Sequence, residues 1–144
     1  MSNHHITVAT SVTGLGNALA DMTGGTLIVD AGAFLLSQGF GNGALLSGFT
    51  SITINGTVGT FDNAGNGLVV SPLTNEVMNL IVGASGFIFS NAVAVNALEV
   101  GNINNAGLIS GVQGITDTAD GNYTITNSGT FNGQSANQPI SQCH

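Results

Sequence analysis

The chain has no lysine, no arginine and no tryptophan among its 144 residues, and only one cysteine and two prolines. Each absence removes a class of function. Binding to nucleic acid requires cationic side chains that neutralise phosphates, and none exists here. Anionic lipid headgroups are excluded as partners for the same reason. The formal net charge of −7 comes instead from seven scattered carboxylates, Asp21, Asp30, Asp62, Glu76, Glu99, Asp117 and Asp120. Long hydrophobic runs are also missing: the most apolar stretch, "LIVGASGFIF" (80–89), is too short to span a bilayer and is interrupted by Gly and Ser. Membrane insertion is therefore not expected. Cys143 has no partner for an internal disulfide. The opening "MSNHHITVATS" carries neither a basic n-region nor an apolar h-region, so no classical signal peptide is expected.

What is abundant is glycine, at 22 residues, within a chain that is 42% hydrophobic. That composition argues for a folded core rather than disorder. The glycines mark an internal repeat. Anchored on Gly129 of "TNSGTF", equivalents lie at Gly107, Gly86, Gly56 and Gly32, with Thr10 as a degenerate first copy. A period of 20–50 residues is the signature of a solenoid or array. Side-chain character repeats in register with it. Four residues before the anchors stand Ile6, Ile28, Ile52, Val82, Ile103 and Ile125, and two after stand Val12, Phe34, Val58, Ile88, Ile109 and Phe131. All twelve are apolar and, the two Phe apart, all are β-branched. Even offsets place both columns on one side of an extended chain.

Each copy holds further short apolar runs, "GALLS" (43–47), "GLVV" (67–70), "NALEV" (96–100) and "QGITD" (113–117), separated by the turn-forming Gly, Asn, Asp and Ser. Three short strands and three corners per copy describe one rung of a parallel β-helix. The expectation is a single all-β domain over 1–144, a solenoid of about six rungs spaced about 4.8 Å apart. Asn105 and Asn127, both two residues before an anchor, are expected to form a local amide ladder. The wider spacing from Gly56 to Gly86 points to an insertion at "SPLTNEVMN" (71–79). The segment "LGNALADM" (15–22) is a candidate helical turn.

The stretches "INNAGLISG" and "TITNSGTFNG" resemble the right-handed parallel β-helix repeats of bacterial secreted and surface proteins, such as autotransporter passengers and filamentous-haemagglutinin-type adhesins. The likeness covers roughly residues 26–133. It implies a right-handed coil and an extracellular or cell-surface location.

Catalysis is not expected. Polysaccharide lyases on such coils use a basic residue, and hydrolases use paired carboxylates about 5–9.5 Å apart. The carboxylates here fall at different offsets, apart from Asp117 and Asp120, which share "DTADGN" (117–122). That segment and "DNAGNG" (62–67) have the oxygen-rich look of calcium loops but match neither an EF-hand nor a calcium β-roll. Calcium at Asp117 and Asp120 is thus a weak expectation beside ordinary turn chemistry. His4, His5, Cys143 and His144 are the good transition-metal ligands, placed to meet only if copies stack end to end. Thr124 and Thr126 form one Thr-x-Thr pair of the kind ranked on ice-binding solenoids, without continuation in the preceding copies.

No amphipathic cap precedes Ile6 or follows Phe131, although soluble solenoids carry polar caps. Uncapped rungs invite head-to-tail pairing, a heterologous contact that does not close. The expected function is a self-assembling subunit of an extracellular or cell-surface fibre, with the chain itself as partner. The competing expectation is a monomeric adhesin or carbohydrate-binding module using Phe87, Phe89 or the 71–79 segment on surface glycans.

Overall fold

The computed structural model describes residues 2–71, 78–97, 101–117 and 123–135. Among them there is no α-helix. The chain forms a β-solenoid of about 5 turns with ~23 residues per turn. Every ladder is parallel. Neighbouring strands are always one full turn apart in sequence, which is what a coil requires.

Three faces make up the coil. Face one is a sheet of six strands, β1 (Ser2–Ile6), β4 (Gly25–Val29), β7 (Phe49–Ile54), β10 (Met78–Val82), β13 (Gly101–Asn105) and β15 (Tyr123–Asn127). Face two contains β2 (Val12–Gly14), β5 (Phe34–Ser37), β8 (Thr57–Thr60), β11 (Phe87–Phe89) and the first part of β14 (Leu108–Asp117). Face three contains β3 (Leu19–Asp21), β6 (Ala44–Ser47), β9 (Asn66–Ser71), β12 (Val93–Ala97) and the second part of β14. Because β14 bends around the corner, and β16 (Thr130–Ser135) pairs along it, faces two and three join into one sheet. Residues 15–22 contain β3, paired with Ala44–Leu46, and not a helical turn. A single 3-10 turn at Val8–Thr10 is the one helical feature among the described residues.

Alternation decides what is inside. On face one β10 and β13 both read buried, exposed, buried, exposed, buried. The core is the stack of inward ranks: Leu27, Ile52, Leu80, Ile103 and Ile125 on face one, Leu35, Val58, Ile88 and Ile109 on face two, and Ala44, Leu68, Val95 and Ile115 on face three. Each is fully or almost fully buried. Burying such side chains contributes about 1.5–3 kcal/mol apiece.

The register corrects two members of the expected columns. Phe34 pairs with Thr57, which sets Ala33 rather than Gly32 level with Gly56. The inward column of face two therefore holds Leu35 between Val12 and Val58, and Phe34 lies on the outside, half-buried. Ile28 likewise points outward at 41% exposure, opposite Thr53. An error of one residue flips a strand's faces. The other expected face-one residues are inward but belong to two columns. Ile52, Ile103 and Ile125 align with Leu27 and Leu80, whereas Ile6 and Val82 align with Val29, Ile54, Asn105 and Asn127. The first corner is two residues longer in some turns than in others, and a shift of two keeps the face.

The anchor glycines are explained by space. A Cβ on Gly56, Gly86, Gly107 or Gly129 would collide with backbone carbonyl oxygens of the turn before, Ala33, Ile54, Gly86 and Gly107 respectively. None of these four is a positive-φ glycine. The expected insertion at 71–79 is narrower than supposed. Ser71 ends β9 opposite Ser47, and Met78 and Asn79 already belong to β10. Residues 72–77 lie outside the described residues.

Candidate functional site

The first turn is chemically unlike the others. His4 occupies the inward rank of face one, level with Leu27. Asp21 stands in the rank that continues as Leu46 and Val70 on face three. Across the open end of the core, His4 Nε2 lies 2.6 Å from Asp21 Oδ2. Asp21 Oδ1 also accepts hydrogen bonds from the Thr23 backbone N–H and hydroxyl. The imidazole stacks on Phe49, with ring centroids 6.0 Å apart. A polar pair thus stands at the mouth of the coil, in ranks that the next turns fill with Leu27 and Ile52 on face one and with Leu46 and Val70 on face three. Inward-pointing charge is one way in which natural sheets blunt an edge.

Val8, Leu15 and Met22 sit at the three corners of the first turn and are 64%, 75% and 59% exposed. Among the described residues β1 pairs only with β4, β2 only with β5 and β3 only with β6. Among the described residues the first end therefore presents strands paired on one side only, in a turn whose three corners expose apolar side chains. At the other end, among the described residues, β15 pairs only with β13, and β16 only with β14.

His4 and His5 point to opposite sides of β1. Adjacent strand residues point to opposite faces, and His5 Nε2 lies outside, 2.8 Å from Asp30 Oδ1. Among the described residues no group of three or more His, Cys, Asp or Glu side chains could hold a metal ion. Cys143, His144 and Asp120 lie outside the described residues. Asp117 ends β14 opposite Ala97.

The second acidic segment is a corner clamp. Asp62 accepts from the backbone N–H of Ala64 through Oδ1 at 3.1 Å and of Gly41 through Oδ2 at 3.0 Å. These bonds, Ala64 first, hold its carboxyl below the usual carboxylate value. Buried hydroxyls line the same corner. Thr60 donates to the Gly41 carbonyl at 2.8 Å, and Ser90 to that of Gly65 at 2.5 Å.

Asn105 and Asn127 share a column, both 2% exposed. Asn105 Nδ2 donates to Asn127 Oδ1 at 2.8 Å and to the Thr130 carbonyl at 3.0 Å, while its Oδ1 accepts from the Gly107 N–H at 3.1 Å.

On the outside of face two the aromatic rings gather. Phe89 stacks on Phe87 and tilts against Phe61, each pair with centroids 5.1 Å apart. A Cβ on Gly59 would run into the Phe89 ring, so this glycine gives the ring its seat on the sheet. Sequence reasoning singled out Phe87 and Phe89 but missed Phe61, which reaches the cluster from the next corner of an adjacent turn. It also missed Asp21, whose link to His4 would have emerged from extending the inward columns into the first copy.

No protein-family model, no curated protein and no solved structure matches the chain.

Proposed function

We propose that the chain is a structural subunit that assembles with copies of itself, head to tail, into an extracellular or cell-surface fibre. The observation that carries this reading is the first turn of the coil, where Val8, Leu15 and Met22 expose apolar surface and where, among the described residues, each strand pairs on one side only. Exposed apolar surface beside free ladder groups suits an interface. Both end strands of face one run in the same direction, so β1 of one copy can extend the ladder at β15 of another. The His4–Asp21 pair fits this junction because each partner compensates the other, whereas an isolated inward charge would oppose burial. The location rests on the resemblance to secreted bacterial β-helix repeats. Sedimentation across a concentration series tests the reading. Mass should grow with concentration, and Leu15→Glu with Met22→Glu should hold the chain at the single-copy mass. Growth unaffected by those changes would remove the first end from the interface.

A second reading is favoured by the ring cluster of Phe61, Phe87 and Phe89. Aromatic faces flanked by hydroxyl and amide groups suit a neutral glycan, and a chain without cations disfavours an acidic one. In this reading the protein is a monomeric adhesin or carbohydrate-binding module. Pull-down on insoluble neutral polysaccharides, with Phe87→Ala and Phe61→Ala as controls, distinguishes it from the fibre.

A further inference from the structure

The outward side of face one is used by neither reading. Its register runs through all six strands and sets two ranks side by side. One rank is Asn3, Thr26, Ser51, Asn79, Asn102 and Thr124, hydroxyl or amide at every turn. The other is His5, Ile28, Thr53, Ile81, Asn104 and Thr126. Only Thr26 and Thr53 are half-buried; the other ten positions are exposed. The Thr-x-Thr pair at Thr124 and Thr126 is thus the last row of a continuous array. The earlier rows were hidden because their side chains are Asn and His, Thr and Ile, Ser and Thr, Asn and Ile, and Asn and Asn.

Three properties restrict what this array can bind. It carries no carboxylate, lysine or arginine, and its single imidazole, His5, is engaged with Asp30. It is periodic in two directions, with about 4.8 Å between strands and about 6.6 Å between alternate residues along each strand. Four of its polar groups are tied in pairs across adjacent strands: the Thr26 hydroxyl donates to Asn3 Oδ1 at 2.9 Å, and Asn102 Nδ2 to Asn79 Oδ1 at 3.0 Å. Between them Ile28 and Ile81 expose methyl groups at 41% and 45%. An uncharged, two-dimensionally periodic, pre-ordered array of hydroxyl, amide and methyl groups complements a ligand with the same periodicity. A flexible glycan lacks that periodicity, and the array offers no ring on which a sugar could stack. A second copy brings its own charge of −7. Crystalline water meets all three conditions, since the prism plane of hexagonal ice presents a rectangular oxygen mesh of similar dimensions.

We propose that the outward side of face one is an ice-binding surface, its methyl groups caging water that the neighbouring hydroxyls and amides anchor in lattice-like positions. The inference does not rest on the fibre reading, because the array lies along the coil's flank; stacking would merely lengthen it.

The test is uptake of the fluorescently labelled full chain into a slowly growing ice hemisphere, together with thermal hysteresis of the unlabelled chain. The expected result is enrichment in ice and a measurable freezing gap. Thr53→Lys, at the centre of the array, should abolish most of both. Asn104→Lys, at a fully exposed position, guards against misfolding at Thr53, and circular dichroism confirms the fold of each variant. Asn132→Lys on another face should behave as the parent. Exclusion of the parent from ice overturns the proposal. So does full activity in a folded Thr53→Lys or Asn104→Lys chain, or an equal loss with Asn132→Lys.

Discussion

Asn105 and Asn127 meet through a 2.8 Å amide hydrogen bond inside the coil, in the column that earlier turns fill with Ile6, Val29, Ile54 and Val82. Two polar residues replace an apolar column only because each supplies the other's partner and pins the corner that follows. Asn105→Ala is expected to destabilise the fold by about 1–3 kcal/mol, since Gly107 N–H and Asn127 Oδ1 lose their bonds together. The double change with Asn127→Ala should cost less than the two single changes added, with a coupling of about 0.5–3 kcal/mol. Urea unfolding of the four chains measures it, and simple additivity would contradict the ladder.

Glycine is required at the anchors by crowding, not by backbone conformation. Gly107→Ala would press its methyl against the carbonyls of Gly86 and Gly83, and is expected to cost about 1–3 kcal/mol. Gly14→Ala meets nothing within 4 Å and should change stability by less than about 0.5 kcal/mol. Thermal unfolding of the two variants gives the comparison directly.

Asp62 makes the corner between faces two and three sensitive to acid. Its folded pKa lies below the ordinary value of 3.8, through the N–H groups of Ala64 and Gly41. A depressed carboxyl pKa means that the folded state binds the proton less readily than the unfolded chain does. The stabilisation is therefore complete above 3.8 and is lost as pH falls through the lower, folded value. Asp62→Asn should flatten that part of the acid-stability profile in urea titrations at successive pH values. An unchanged profile would mean that the clamp contributes nothing.

Much of the fold was legible because a coil repeats its physics every turn. The inward and outward alternation around Ile52, Ile103, Ile125, Val58, Ile88 and Ile109 shows directly in the spacing of β-branched residues. Register was harder to read, for a definite reason. Corner lengths differ by two residues between turns, which merges two inward columns into one apparent column without changing face. At Gly32 the offset is one, which sent Ile28 and Phe34 to the wrong side. The end of the coil was hidden for another reason. His4 and Asp21 occupy ranks that are apolar in every later described turn of face one and face three up to Ala97, so the repeat offers no second copy of the pair from which to read it.

That pair yields a prediction about assembly. His4→Ala leaves Asp21 without its imidazole partner at the mouth of the core, and should weaken head-to-tail association while the single chain stays folded. Replacing both, His4→Leu with Asp21→Leu, turns the mouth apolar and should strengthen association. Light scattering at matched concentrations ranks the three chains. The opposite order would mean that the pair promotes stacking in some other way.

The account turns on whether the ends of the coil meet. Negative-stain electron microscopy of the purified chain at neutral pH, repeated in the presence of a metal chelator, tests this most directly. Unbranched filaments one coil wide that survive chelation are the predicted result, with Leu15→Glu and Met22→Glu reducing them to separate particles. Isolated compact particles at every concentration would contradict it, and the ring cluster on face two would then become the leading candidate for function.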